Sequence, residues 1–284
     1  MLQEITLRPM AESDLPGAFA LSQQVGWPHR LDDWRQAWRL GEGVVAMKAG
    51  KVIGSTLCWR WGATRATIGL VIVDRASQGQ GIGKRLMTTL LSSLKGYHVR
   101  LNATAEGRAL YSGLGFNKIG TVYQHQSRAL PAIAPLPLAP GCHLRMADQA
   151  DREMLLALDS AANGVHRPAL LQALLNEGEN TQLLMRDDRP LGFASVRRFG
   201  HGYTIGPVVA DTVESAQCLI NHLLLPLSGQ FVRIDVDARS GLSEGLITAG
   251  LLQVDAPVAM IRGTQFTPQA AQPRGFALVS QAMG

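Results

Sequence analysis

A glycine-rich heptapeptide holds the residues whose types and spacing are best suited to chemistry. It reads Gln78, Gly79, Gln80, Gly81, Ile82, Gly83 and Lys84, and it follows an apolar run at 68–73 typical of a buried strand. After it, positions 85–94 carry apolar residues at helical spacing. Alternating glycines let the backbone turn sharply, so successive N–H groups can point into one concavity at a helix N-terminus. This order of strand, turn and helix predicts a site for a phosphate or pyrophosphate.

Two well-known glycine loops do not fit this heptapeptide. A dinucleotide-binding loop needs G-x-G-x-x-G and an acidic residue about 20 positions later, and neither is present. A P-loop needs Ser or Thr after its Gly-Lys pair, where this chain has Arg85. The remaining pattern, Q-x-x-G-x-G, resembles the acyl-CoA loop of the GNAT superfamily of acetyltransferases. A tight turn that binds no ligand is the alternative that the loop alone leaves open.

A second stretch strengthens the resemblance. Residues 99–104 predict a strand, and the helix predicted after it ends in Leu110, Tyr111, Gly115 and Phe116. GNAT enzymes have L-Y-x-x-x-G-F at this place and at this distance from the glycine loop. The resemblance extends over residues 5–125. It implies an α/β (α+β) fold in which a mixed, mostly antiparallel sheet is flanked by helices.

Length and composition limit the class of protein. With 284 residues, 46% of them hydrophobic, the chain is long enough for two domains. It has no run of ~20 apolar residues and no apolar signal core near its start, so we expect no membrane association. Its three cysteines are far apart and form no C-x-x-C, which argues against disulfides and zinc. We therefore expect a cytoplasmic protein that needs no metal.

The charge is distributed unevenly. Residues 1–130 carry 16 Lys and Arg against 8 Asp and Glu, whereas the rest of the chain carries 11 against 14. A basic first half is expected if it holds coenzyme A, which bears several phosphates. Nucleic-acid binding is the competing interpretation. We expect no nucleic-acid partner, because Lys and Arg never form a run longer than a pair.

The second half of the chain repeats the first. Leu7-Arg8 and Asp14 recur as Leu144-Arg145 and Asp151, and similar echoes extend to Gly115 and Gly250. Between the halves, residues 129–140 contain four prolines and predict an extended linker. We therefore predict two tandem GNAT-like domains: a catalytic domain at 1–128, a Pro-rich linker at 129–141 and a degenerate domain at 142–284.

The second copy lacks the features that would bind a phosphate. Its loop is four residues shorter, has no glycine at 212–217 and carries Glu214, while Leu246 stands where the first copy has Tyr111. A carboxylate at that helix start would repel a pyrophosphate. We expect only the first copy to bind acyl-CoA.

The resemblance implies roles for particular residues of the first copy. The main chain of Val71, Ile72 and Val73 would pair with pantetheine, and the N–H groups of the glycine loop would hold the pyrophosphate. Tyr111 would protonate the departing thiolate, although core packing is the alternative for its ring. Thr104 stands where many relatives have an asparagine that contacts pantetheine, and Asn102 could share that task.

The acceptor site is expected in the segment 26–34. Trp27 would form an aromatic wall, and His29, Asp32 and Asp33 are candidates for binding the amine or acting as base. The alternatives are structural, because either aspartate could cap the next helix and His29-Arg30 recurs in the second copy. No carboxylate lies on the strand 66–73, so the sequence identifies no general base.

These observations predict an N-acetyltransferase that uses acetyl-CoA as co-substrate. Its acceptor would be the primary amine of an unidentified small molecule or peptide, and the acidic second half hints at a cationic one. The alternative is a non-catalytic acyl-CoA-binding regulatory protein. A monomer and a homodimer both remain open, because a tandem repeat can make internally the pairing that single-domain relatives make as dimers.

Overall fold

The computed structural model describes residues 4–269 and 273–284. The strands are β1 (Thr6–Pro9), β2 (Glu42–Lys48), β3 (Lys51–Trp61), β4 (Arg65–Val73), β5 (His98–Ala103), β6 (Asn117–Ser127), β7 (Cys142–Met146), β8 (Asn180–Arg186), β9 (Arg189–Phe199), β10 (Gly202–Ala210), β11 (Val232–Asp237), β12 (Leu252–Asp255), β13 (Val258–Arg262) and β14 (Arg274–Ala277). The helices are α1 (Leu15–Gln24), α2 (Leu31–Arg39), α3 (Ile82–Ser93), α4 (Arg108–Gly113), α5 (Arg152–Asn163), α6 (Pro168–Glu177), α7 (Val213–Leu224) and α8 (Ser243–Thr248).

Both halves build the same α/β unit. In the first half, β1 to β4 pair antiparallel in order and β4 then pairs parallel with β5. In the second half, β7 to β10 pair antiparallel and β10 pairs parallel with β11. Helices flank each sheet, so the predicted fold class, with mixed and mostly antiparallel sheets, is confirmed.

Repeated residues make repeated contacts. Arg8 forms an ion pair of 2.6 Å with Asp14, and Arg145 forms one of 2.6 Å with Asp151. Each aspartate also accepts a hydrogen bond from the main-chain N–H three residues before it. The sequence repeat is therefore a structural repeat down to individual side chains.

The two halves exchange strands, which the sequence analysis did not foresee. β13 of the second half lies between β5 and β6 of the first, and β6 pairs with β11 of the second. One sheet therefore runs through the described residues in the order β1-β2-β3-β4-β5-β13-β6-β11-β14-β10-β9-β8-β7. Neither half completes its sheet without the other.

The core of the first half lies on both faces of its sheet. Trp59 and Trp61 are buried on the side of α1 and α2, and the Trp59 indole N–H donates to the carbonyl of Ala37 at 2.8 Å. On the other face, α3 buries Ile82, Leu86 and further apolar residues against the strands. The sheet is thereby fixed from both sides in the region where β4 meets α3.

The linker is anchored rather than free. Leu130 is buried in the core of the second half, and its main chain exchanges hydrogen bonds with Gln230 and Gly229. Pro131 packs against Gly250. No helix in the described part of the chain is long and apolar enough to cross a membrane.

Candidate functional site

β4 and β5 diverge and leave a gap between them, here called the β4/β5 gap. The two strands pair from Arg65 and His98 up to Thr67 and Arg100, after which the pairing stops although β4 continues to Val73. The edge of residues 68–73 that faces β5 therefore presents main-chain groups without a partner strand. Val71, Ile72 and Val73, the predicted pantetheine-binding residues, lie on this edge.

A bulge marks the middle of that edge. Leu70 has a φ of +53°, and the register between β3 and β4 shifts between Ser55 and Leu57. The Ser55 hydroxyl donates to the carbonyl of Leu70 at 3.0 Å, which holds the bulge in place. A non-glycine residue in this conformation costs about 1–3 kcal/mol and is frequent at functional sites. No pattern in the sequence signalled it.

The glycine turn, residues 78–84, joins β4 to α3 at the end of the gap. Gly79 and Gly81 have φ of +77° and +73°, and a Cβ on either would meet no atom within 4 Å. Gly81 occupies the N-cap position of α3 without a side-chain cap, so the first N–H groups of the helix lack a capping acceptor. Lys84 is exposed, whereas Arg85 donates to the carbonyl of Ile5. An open glycine turn at an uncapped helix start is an arrangement that favours anion binding.

In the second half, protein groups fill the places that correspond to the uncapped helix start and to the β4/β5 gap. The Thr212 hydroxyl accepts from the N–H of Ser215 at 3.1 Å and caps α7 in the ordinary way. β14 occupies the space where β10 and β11 diverge, since Ala277 pairs with both Val208 and Val236. The second copy has neither a free helix start nor an open gap at the positions that correspond to the first.

Tyr111 lies in α4, next to the β4/β5 gap. Its ring covers Gly107, where a Cβ would come within 2.7 Å of Cε2, and it meets Phe116 edge-on at 6.2 Å between ring centroids. Burial raises the pKa of Tyr111 to about 12. The hydroxyl therefore stays protonated at neutral pH, so that a proton is available beside the β4/β5 gap.

Asn102 and Thr104 lie at the end of β5. The Asn102 amide donates to the carbonyl of Gln281 at 2.8 Å, while its Oδ1 is buried without a hydrogen-bond partner. Thr104 is exposed. A main-chain hydrogen bond lowers the pKa of the nearby Glu106 carboxyl, and a hydrogen bond with the Thr104 side chain lowers it further. Asn102 is thus already committed in part to the C-terminal segment.

A cavity of about 1100 Å³, here called the central cavity, opens between the two halves. It brings together most of the residues predicted for the gap and for the acceptor: Trp27, His29, Asp33, Val71, Asn102, Thr104 and Tyr111. Asp32 does not reach it, because this residue is exposed and paired with Arg35. The glycine turn lies outside the cavity lining.

Asp33 has a structural role at the cavity wall. Its Oδ2 accepts from the N–H groups of Arg30 at 2.7 Å and Gly200 at 3.0 Å, and its Oδ1 accepts from the Arg30 guanidinium at 2.7 Å. The carboxylate therefore caps α2 and ties it to the second half. These contacts support helix capping for Asp33, the alternative to a role in binding the amine or acting as base.

His29 is enclosed among aromatic rings. Its ring meets Phe199 edge-on at 5.1 Å and lies 5.8 Å from Trp27, and its Nδ1 is buried without a partner. Burial lowers the pKa of His29 to about 4; Asp33 opposes this change, and the charge of Arg233 adds to it. The imidazole is therefore neutral at pH 7 and too weakly basic for an efficient general base.

His29 should make stability depend on pH between about 6.5 and 4. In this window the unfolded chain binds a proton at His29 and the folded chain does not, so the free energy of unfolding falls as pH falls. We expect a loss on the order of 2–3 kcal/mol. Urea unfolding at several pH values gives the free energy of unfolding as a function of pH. This free energy should fall less steeply with falling pH in His29→Gln than in wild type, while His143→Gln, at an exposed position, should behave like wild type. Equal slopes in His29→Gln and wild type would exclude this role.

The sequence alone leaves open that the second half walls the acceptor cleft, supports the fold or forms an intersubunit surface, and it names none of the residues that the second half contributes to the cavity. Arg197, Phe199 and Arg233 of the second half line the same central cavity as Leu70 and Val71 of the β4/β5 gap. One signal was present: the offset that aligns Arg198-Phe199-Gly200 with Arg60-Trp61-Gly62 places Arg197 at the position of the buried Trp59. A charged residue in a core position of a repeat indicates a special role.

The C-terminal segment also reaches the gap. A Cβ on Gly69 would lie 2.7 Å from Cα of Ala282, and the Thr67 hydroxyl donates to the carbonyl of Met283 at 3.2 Å. Residues 279–283 thus form the wall of the central cavity that connects β4 with the second half. Gly69 is required because no side chain fits between β4 and the C-terminal segment at this position.

Comparison with known proteins gives consistent results. A family model described as an acetyltransferase (GNAT) domain matches residues 29–128, and a second model with the same description matches residues 155–273. Together the two matches span more than half of the chain. Among curated proteins, an uncharacterized N-acetyltransferase of Bacillus subtilis, YitH, is 28% identical in an alignment 283 positions long that covers 96% of this chain and 96% of that protein.

Solved structures share the fold over nearly the whole chain. A Pyrococcus horikoshii protein described as a candidate acetyltransferase is 20% identical, with a TM-score of 0.80 over 100% of this chain and 97% of that one. A GCN5-related N-acetyltransferase from Sphaerobacter thermophilus has a TM-score of 0.70 at 14% identity over 93% and 98% of the chains. A tandem GNAT protein from the clavulanic acid pathway has a TM-score of 0.64 at 14% identity over 93% and 100%. At these identities the likeness concerns the fold alone.

Proposed function

The chain belongs to the GNAT superfamily of N-acetyltransferases, with two GNAT domains in tandem, and on this premise we propose that its first domain, residues 1–128, transfers an acetyl group from acetyl-CoA to a primary amine. The acceptor is a small molecule or the amine of a peptide. The second domain, residues 142–284, binds no acyl-CoA and forms one wall of the acceptor cavity.

One observation supports this proposal above the others. The unpaired edge of β4 has an uncapped, glycine-rich helix start at one end and Tyr111 beside it, and the same edge opens into the central cavity. Main-chain groups, an anion site and a proton donor are the parts that a thioester with a long phosphorylated carrier requires. In the second domain β14 and Thr212 fill the equivalent positions.

The residues of the first domain fit acetyl-CoA, which supplies an activated acetyl thioester. The main chain of 71–73 would hold the pantetheine, and N–H groups of residues 79–84 would hold the pyrophosphate, while Gln78 braces the turn by donating to the carbonyl of Val73 at 3.2 Å. An N–H group of the strand bulge near Leu70 would polarise the carbonyl. Asn102 and Thr104 would contact the carrier from the side of β5.

The chemical step requires two proton movements. A C–N bond forms between the amine and the acetyl carbonyl carbon, and the C–S bond breaks. Tyr111 gives its proton to the departing sulfur, and the amine nitrogen loses a proton to water in the cavity. His29 and Asp33 do not serve as the base, since the imidazole is a weak base and the carboxylate is engaged at the start of α2.

The engagement of Asp33 and the low basicity of His29, the two bases that the sequence suggested, favour a second candidate function. A protein that binds acyl-CoA and regulates a partner needs no base. The second candidate predicts tight acetyl-CoA binding and no thiol release with any amine.

Calorimetry with acetyl-CoA, followed by a thiol-release assay over a panel of amines, tests the proposal. We expect one binding site per chain, because β14 and the Thr212 cap fill the second copy, and turnover with a subset of amines. Two sites per chain would contradict the assignment of the second domain. Binding without turnover over the whole panel would favour the regulatory alternative, and no binding would overturn both.

A further inference from the structure

Arg197 is a buried residue of β9 that lines the central cavity. Its Nη2 donates to the carbonyl of Val279 at 2.8 Å, and its Nε is buried without a hydrogen-bond partner. Its guanidinium also lies 5.6 Å from the ring centre of Phe199. Among its contacts in the described residues there is no carboxylate within ion-pair distance, whereas a buried charge is normally paired.

The charges around Arg197 do not balance. Asp33 and Asp235 are the nearby carboxylates, and both act on Arg197 only through space. Asp33 is bonded to Arg30, and Asp235 is bonded to Arg233 at 3.0 Å. Three guanidinium groups therefore face two carboxylates, and the excess positive charge is that of Arg197.

None of the described groups that act on Arg197 removes this excess. Burial lowers the pKa of Arg197 to about 10, so the guanidinium remains charged at neutral pH. The pKa of His29, at about 4, keeps the imidazole neutral, so it neither adds a charge nor compensates one. The carbonyl of Val279 and the ring of Phe199 provide dipolar and cation–π contacts that favour the charge without neutralising it.

We propose that Arg197 binds a carboxylate of the acceptor, so that the substrate of this enzyme is a small amine that also carries a carboxylate, such as an amino acid. This inference rests on the proposed function, since it assigns the acceptor of the same cavity. One carboxylate balances the excess charge, and a guanidinium is the side chain best shaped to receive it.

The arrangement of the cavity gives such an acceptor a direction. Its carboxylate lies at the wall supplied by β9, and its amine points to the wall that holds Val71 and Tyr111. The degenerate domain thereby determines specificity for a reaction carried out by the first domain. The net negative charge of the second half, which hints at a cationic acceptor, does not describe the cavity wall, where the buried charges are positive in excess.

The test compares amino acids with their carboxamides, which keep the amine and lose the charge. Binding of each pair is measured by calorimetry on the full chain saturated with coenzyme A, and turnover is measured with acetyl-CoA. Arg197→Met removes the guanidinium and keeps an apolar side chain of similar length. Arg198→Met is the matched control, because Arg198 is its exposed neighbour, pairs with Glu179 and lies outside the cavity lining.

We expect at least one amino acid to bind wild type roughly 10- to 100-fold more tightly than its carboxamide. Arg197→Met should remove that preference while acetyl-CoA binds as before, Arg197→Lys should restore part of it, and Arg198→Met should keep it. Equal affinity for acid and carboxamide in wild type, a measurement that needs no variant to fold, would overturn the inference, as would a preference that survives in Arg197→Met. If acetyl-CoA fails to bind wild type, the proposed function itself is wrong.

Discussion

Gly81→Glu is expected to abolish acetyl-CoA binding while the protein stays folded. Gly81 has a φ of +73° and occupies the uncapped start of α3, where an added Cβ meets no atom within 4 Å. The Cβ of the new side chain therefore has room, and its carboxylate would compete with the pyrophosphate for the N–H groups of the turn. We expect affinity to fall roughly 100-fold or more, since the variant removes the anion site and adds repulsion. Calorimetry measures the affinity, and thermal unfolding reports the fold.

A second glycine provides the matched control for this prediction. Gly96 has a φ of +84°, a Cβ added to it would meet no atom within 4 Å, and it follows the other end of α3. Gly96→Glu therefore introduces the same backbone strain, about 1 kcal/mol, and the same charge at a distance from the turn. It should lower the unfolding temperature at least as much as Gly81→Glu, because a carboxylate is favourable at a helix start and unfavourable near a helix end, and it should leave acetyl-CoA binding intact. If both variants lose binding equally, strain rather than the anion site is the cause.

The local parts of the site could be predicted from the sequence because each depends on neighbouring residues. The glycine turn follows a buried strand and precedes a helix, so its conformation is encoded within about ten residues. Tyr111 is fixed in the same way by Gly107 and Phe116, which pack on its ring. The repeat was visible because pairs such as Arg8 with Asp14 act over short distances along the chain.

The parts that the sequence did not predict depend on contacts between distant segments. β13 and β6 change partners between the halves, and no local pattern distinguishes an exchanged strand from an ordinary one. The exchange holds the two halves together, and residues of both halves line the central cavity. Arg197 gains its environment only there, since its neighbours Asp33 and Val279 come from opposite ends of the chain.

Tyr111→Phe is the second variant with a large expected effect, and it should act on turnover rather than on binding. The ring contacts with Gly107 and Phe116 remain, so the fold and the β4/β5 gap should be preserved. Only the proton donor is lost, and general acid catalysis typically contributes 10²- to 10⁴-fold. We expect kcat to fall roughly 100-fold while the dissociation constant of acetyl-CoA changes less than about twofold. Tyr97→Phe, at a position outside the cavity, should keep both values.

A change of leaving group separates proton donation from a purely structural role of Tyr111. A nitrophenyl thioester of acetic acid releases a thiolate that is far less basic than that of coenzyme A. The nitrophenyl thiolate therefore needs no proton to depart. With this donor, Tyr111→Phe should be nearly as fast as wild type, because the lost proton no longer limits the reaction. A misplaced helix α4 would slow the reaction with both acetyl donors alike.

The high pKa of Tyr111, about 12, predicts in addition that the wild-type rate shows no decline from ionisation of this residue below pH 10. An unchanged kcat with acetyl-CoA in Tyr111→Phe, measured where chemistry limits the rate, would remove Tyr111 from the mechanism and leave the core-packing interpretation of its ring.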